Sequence, residues 1–257
     1  MILTPDFVYI HYPKTGGTFV TEVLSRVYGG RPGGFVDTDK HAGCSEIPAT
    51  HRGKPLVSAV RNIFDRYVSQ YCFGWWKLHP DDYCGAEAMR QLFPHYPDLS
   101  FTEFVQLANA KFLNCHQGRP TGYVNRNFAP GREPGWHSEQ LVRFYFREPR
   151  EVYANLDEAS LSSMDFLAAM EPVQFLPFER LNDALYELLR GFGHPEAAID
   201  FVRGAGRVLP AEGGRQPGDR WQSYYTPAAW ELICRRERLL FKVFPRFELG
   251  RLDMEVA

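Results

Sequence analysis

Residues 7–24 read FVYIHYPKTGGTFVTEVL. The apolar run Phe7–His11 is rich in β-branched and aromatic residues and predicts a short buried strand. Pro13 stops it, Lys14 follows, and Gly16 and Gly17 stand between Thr15 and Thr18. Phe19, Val23 and Val27 then recur at helical spacing, which predicts a helix over 18–28. Two glycines let backbone N–H groups converge with no side chain in the way. The start of the next helix adds unpaired N–H donors and a positive dipole end. With a lysine beside them, these groups form a cradle for phosphate. The same residues would also serve a plain proline-led turn. A nucleoside-triphosphate loop places its lysine after the glycines, whereas Lys14 precedes them, and no second-strand aspartate for Mg²⁺ stands out.

The pattern repeats downstream. PLVSAV (55–60) predicts a second buried strand, and NIFDRYVSQYCFGWW (62–76) a helix with Phe64, Val68, Tyr71 and Cys72 facing inward. Strand, helix, strand, helix is the α/β signature, with a central, mostly parallel sheet flanked by helices. Ser100 and Glu103 form a capping box at the head of a helix over 100–112. Residues 114–138 read as a long loop, and 204–220 as a glycine-rich one. Val173–Leu176 suits a strand. Leu181, Ala184, Leu185, Leu188, Leu189 and Phe192 then make a helical stripe stopped by Gly193. A final helix over 226–244 has Thr226 as N-cap and Pro227 at N1. Neither a repeat nor a linker interrupts the 257 residues, so one domain over 1–257 is expected.

The charge balance is 29 Lys+Arg against 31 Asp+Glu, a net −2, which argues against nucleic acid or a membrane surface as partner. The five cysteines are odd in number and lack a C-x-x-C pair, so reduced thiols in the cytoplasm are expected. The first residues carry no basic n-region and no long apolar stretch, so a signal peptide is not expected. No window approaches the ~20 apolar residues of a membrane span.

Arg61 ends the second strand, at the edge where open α/β sheets bind ligands. Ser69 lies eight residues on, along the following helix. A pairing of Arg61 with Asp65, and a solvated Ser69, are the structural alternatives. Together, HYPKTGGT and VRNIFDRYVSQY resemble the two cofactor motifs of the sulfotransferase family, in its carbohydrate-sulfotransferase branch. FLPFERLNDALYELLRGFG and YYTPAAWELICRRERLLFKVF resemble that branch more weakly. Matching stretches run from residue 7 to about 247, while 75–170 resembles nothing specific.

The resemblance implies a P-loop-like sulfotransferase fold and the donor 3′-phosphoadenosine-5′-phosphosulfate (PAPS), with adenosine 3′,5′-bisphosphate as product and no metal. It assigns Lys14, Thr15, Gly16, Gly17 and Thr18 to the 5′ side, with Lys14 also stabilising the leaving phosphate, and Arg61 and Ser69 to the 3′-phosphate. It also implies a further basic contact before the YYTP segment, for which Arg215 and Arg220 are the candidates. The branch often carries its base between the two motifs, which points to His41, with Glu46 to orient or replace it. His11 reads as structural; His51, His116 and His137 fall in loops and remain alternatives. The aromatics of YCFGWW (71–76), with Tyr123, Phe128 and Trp136, suit core packing better than an acceptor platform. Neither Cys115–His116 nor His41 with Cys44 has four-ligand metal spacing. The expected activity is sulfuryl transfer to a hydroxyl of a carbohydrate or small molecule. A non-catalytic nucleotide-binding module and a small-metabolite kinase are the competing readings.

Overall fold

A computed structural model describes residues 1–30, 33–113, 115–116, 119–120, 122–206, 214–215 and 218–251, with the side chains at 115, 116, 119, 120 and 249–251 left out. Backbone contacts divide the chain into two compact units. The first comprises Met1–Asn62, Phe144–Arg147 and Glu171–Leu209; the second comprises Ile63–Arg143, Glu148–Met170 and Pro210–Ala257. Much of the expected glycine-rich loop, 207–213 with 216–217, lies outside the described residues.

The first unit is α/β. Its strands are β1 (Ile2–Leu3), β2 (Val8–Ile10), β3 (Val36–Asp37) and β4 (Leu56–Val60). In the second unit Cys115–His116 (β5) and Arg119–Pro120 (β6) form a separate antiparallel pair. Strand β7 (Val173–Pro177) completes a five-stranded sheet ordered β3-β1-β2-β4-β7. The pairs β2–β4 and β4–β7 are parallel, while β1 pairs antiparallel with both β2 and β3. The sheet is therefore mixed: parallel across β2, β4 and β7, antiparallel at one edge.

Alternation along the strands sorts the two faces. Phe7, Tyr9, Val57 and Ala59 pack with Phe19, Val20, Val23 and Leu24 of α1 (Gly17–Tyr28) and with Leu181, Leu185 and Leu189 of the helix Leu181–Gly191. Ser58 faces the other way, where its hydroxyl donates to the Ile10 carbonyl at 2.7 Å and meets the Tyr145 hydroxyl at 2.8 Å. Every residue of β4 is buried, as expected of a parallel strand covered on both faces. The Leu181–Gly191 helix ends as its sequence predicts. Gly193 has φ +82°, its N–H donates to the Arg190 carbonyl, and His194 N–H donates to the Leu189 carbonyl, which makes a Schellman close.

The second unit is largely helical. Helix α2 (Ile63–Phe73) leads from β4, and Phe64 on it stacks on Trp230 with ring centroids 3.8 Å apart. Ser100 and Glu103 form the expected capping box, and the Thr226 hydroxyl accepts from Ala229 N–H ahead of Pro227. Two expectations fail here. The last helix is not continuous but divides into Pro227–Arg236 and Arg238–Val243 at Glu237. The expected loop 114–138 gives way at its end to a helix, Trp136–Tyr145. One side chain accounts for both. Glu237 is wholly buried, and its carboxylate accepts from His137 N–H (3.0 Å), Ser138 N–H (2.7 Å), the Ser138 hydroxyl (2.7 Å) and the Tyr67 hydroxyl. A carboxylate from far along the chain thus caps a helix that carries no cap of its own.

Among the described residues, no helix is long and apolar enough to cross a membrane.

Candidate functional site

The glycine turn lies in the first unit, between the carboxyl end of β2 and the start of α1. Lys14 has φ +64° and Gly16 φ +89°. Two left-handed residues this close make a concave turn, and a lysine there is strained. Gly16 is the N-cap of α1, with no side-chain cap, and the first turn of the helix contains no acidic residue. Its opening N–H groups have no partner within the helix. Thr15 is buried and donates its hydroxyl to the Tyr12 carbonyl at 2.8 Å, so it braces the turn, while Thr18 is exposed on the first turn.

Both glycines are required sterically. A Cβ on Gly16 would lie 2.5 Å from Leu181 Cδ2, on a backbone that also disfavours any side chain; a Cβ on Gly17 would lie 2.1 Å from His11 Nε2.

Arg61 follows β4 directly and is 9% exposed. Its Nη1 donates to the Lys14 carbonyl at 3.2 Å, and its Cζ lies 4.2 Å from the centre of the Phe178 ring. The register explains this meeting. Val60 is level with Pro177, so Arg61 and Phe178 are the next residues out on neighbouring parallel strands. The carboxyl ends of β2, β4 and β7 therefore bring the Lys14 turn, Arg61 and Phe178 together, where ligand sites of open α/β sheets form. An uncapped helix start with a lysine and a buried arginine beside it is a donor set suited to a phosphate or phosphosulfate.

His41 lies against His11, with ring centroids 5.5 Å apart, and its Nδ1 faces the His11 carbonyl at 3.4 Å. A carbonyl only accepts, so Nδ1 carries the proton of the neutral ring and Nε2 is its basic nitrogen. His11 is 5% exposed. Burial, helped by His41 and Lys40, pushes its pKa down to about 3, so it is neutral at physiological pH. Glu46 accepts the Gly43 N–H at 2.8 Å and closes its own turn, Cys44–Glu46.

His51 lies in the first unit, in the turn Ala49–His51; the other predicted residues fall in the second unit. Ser69 is half-exposed on α2, one turn beyond Asp65 and on the same helix face. Arg215 Nη1 meets Asp65 Oδ1 at 2.6 Å, and Gly214 N–H donates to the Cys72 carbonyl at 2.9 Å, which fixes residues 214–215 along α2. Arg220 is exposed ahead of the turn Trp221–Tyr224. His137 is in a helix, fully buried, with Nε2 2.6 Å from Gln70 Oε1; burial, then Arg66, holds its pKa well below the usual range. Cys115 and His116 have side chains outside the described residues. Trp76, Tyr123, Phe128 and Trp136 are core residues, whereas Phe73 and Trp75 are half-exposed.

Phe178 carries no sequence prediction, and neither does the contact of His11 with Gly17. The first has a signal: FLPFERL places an aromatic directly after a strand, at the end where ligands gather. The second has none, because it depends on the packing of a turn. Comparison of the chain with protein-family models, with curated proteins and with solved structures returns no match.

Proposed function

We propose that this chain is a sulfotransferase that takes the sulfuryl group of PAPS and passes it to a hydroxyl of a carbohydrate or small-molecule acceptor, on a P-loop-like fold and in the cytoplasm. One observation carries the reading. A lysine that precedes a double-glycine turn is joined, through its carbonyl, to an arginine at the end of the neighbouring parallel strand. A triphosphate site has its lysine after the glycines. A donor phosphorylated at both ends of its ribose instead calls for a helix-start cradle and a separate arginine.

The donor supplies an activated sulfuryl group. The N–H groups at the start of α1 hold its 5′ phosphosulfate, and Lys14 stabilises the charge that builds on the leaving phosphate. Arg61 takes the 3′-phosphate. His41 Nε2 accepts the proton of the acceptor hydroxyl as that oxygen bonds to sulfur and the sulfur–phosphate oxygen bond breaks. The resemblance also gives Ser69, Arg215 and Arg220 to the donor and Glu46 to the base, contributions that alanine substitution measures one by one. A non-catalytic nucleotide-binding module would share the cradle and transfer nothing.

The test has two steps. Calorimetry with adenosine 3′,5′-bisphosphate, without Mg²⁺, is expected to show binding where ATP shows none. Incubation with ³⁵S-labelled PAPS and a panel of hydroxylated acceptors is then expected to yield labelled product. Binding of ATP in preference to the bisphosphate overturns the reading in favour of a kinase.

A further inference from the structure

We propose that Phe178 is a positioning residue that holds the Arg61 guanidinium in place for the 3′-phosphate. The proposal rests on the donor reading above. Three contacts carry it. Arg61 Cζ lies 4.2 Å from the Phe178 ring centre, well within the ~6 Å at which an aromatic face attracts a guanidinium. Arg61 Nη1 reaches the Lys14 carbonyl at 3.2 Å, on a residue whose backbone is left-handed. The same ring borders the glycine turn, since a Cβ on Gly16 would stand 3.3 Å from Phe178 Cδ2. One ring thus touches both phosphate-binding elements.

Its placement is built into the chain. Pro177 has φ −70° as the N-cap of the turn Phe178–Arg180, a value its ring imposes. Its pairing with Val60 sets Phe178 level with Arg61. A long arginine chain has several rotatable bonds, and fixing it before the ligand arrives removes entropy that binding would otherwise lose. Phe178 therefore acts on the one anion that Arg61 contacts and leaves the 5′ cradle to the helix start.

The experiment compares Phe178→Leu and Phe178→Tyr with the wild type. Calorimetry gives the affinity for adenosine 3′,5′-bisphosphate and for adenosine 5′-monophosphate, which lacks the 3′-phosphate. NMR of the unliganded chain reads the Arg61 side-chain Nε–Hε signal and the rotation of its guanidinium. Phe178→Leu is expected to lower the preference for the bisphosphate by about 3- to 10-fold, to spare the monophosphate, and to free the guanidinium. Phe178→Tyr, which keeps the ring, is expected to restore both. A merely structural Phe178 would weaken both nucleotides equally. That result, or an Arg61 signal unmoved in Phe178→Leu, overturns the proposal. If the wild type binds neither nucleotide, the donor reading falls, and the NMR comparison alone decides whether Phe178 holds Arg61.

Discussion

Gly17→Ala tests the geometry of the turn at one atom. The added Cβ would lie 2.1 Å from His11 Nε2, where ordinary contact begins at 3.4 Å. One of the two groups must then retreat by about 1.3 Å in a site as close-packed as any protein interior. His11 has little room to do so, being 5% exposed with its ring against His41. Gly17 is not among the positive-φ glycines, so the backbone itself tolerates alanine, and at a helical position the exchange would otherwise gain about 0.5–1 kcal/mol. Overpacking of this kind costs about 1–3 kcal/mol. The net loss expected is about 1–2 kcal/mol, or roughly 2–8 °C in Tm for a chain of this size. The double variant with His11→Ala makes the reasoning specific. Once the imidazole is gone the added methyl has space, and Gly17→Ala should become neutral or slightly stabilising. A double-mutant cycle by urea denaturation, followed by circular dichroism, should give a coupling of about 2 kcal/mol. Additive effects, with Gly17→Ala equally costly in both backgrounds, would refute the proposed clash.

Lys14→Ala should keep the melting temperature within a few degrees and lower sulfuryl transfer by about 10²–10³-fold, and near-normal turnover would remove Lys14 from the reaction. Glu237→Ala should cost at least about 3 kcal/mol, because it leaves buried donors on His137, Ser138 and Tyr67 unmatched; equilibrium unfolding measures it, and a loss under 1 kcal/mol would show that water replaces the carboxylate. Burial raises the carboxyl of Glu139 from 4.5 to about 7, against the opposing pull of Arg143 and with some help from Glu237. The folded state then binds the proton more tightly than the unfolded state does, so stability falls as pH rises from about 4.5 to 7 and levels off above. At about 1.4 kcal/mol per pH unit the full effect is about 3 kcal/mol. Glu139→Gln should flatten the dependence of Tm on pH across that window and raise Tm at pH 8, and an unchanged profile would show that Glu139 titrates normally.

How far the sequence could be read depended on whether each element carried its own signals. β2, α1 and β7 announce themselves through apolar runs that end at glycine or proline, β4 through one that begins after Pro55, and Leu181–Gly191 carries both its stripe and its stop. The helix Trp136–Tyr145 does not. Its N-terminus has no capping residue nearby in sequence, and the carboxylate that serves it belongs to Glu237, about 100 residues away. The break between Arg236 and Arg238 is the other side of that contact, since a glutamate is a good helix former and only its distant duty marks the end of a helix. The same distinction runs through the candidate site. Lys14, Gly16 and Gly17 are adjacent in sequence, and Arg61 is flagged by its place at the end of a strand. Phe178 carries a local signal, as an aromatic directly after a strand, but its meeting with Arg61 shows only once the parallel register is known, because nothing local tells that Pro177 pairs with Val60. Sequence exposes the groups that would carry charge to a ligand, whereas the groups that hold them still are fixed by register and packing. A substitution series restricted to the charged residues would therefore miss part of the site, and Phe178 is the first place to look for it.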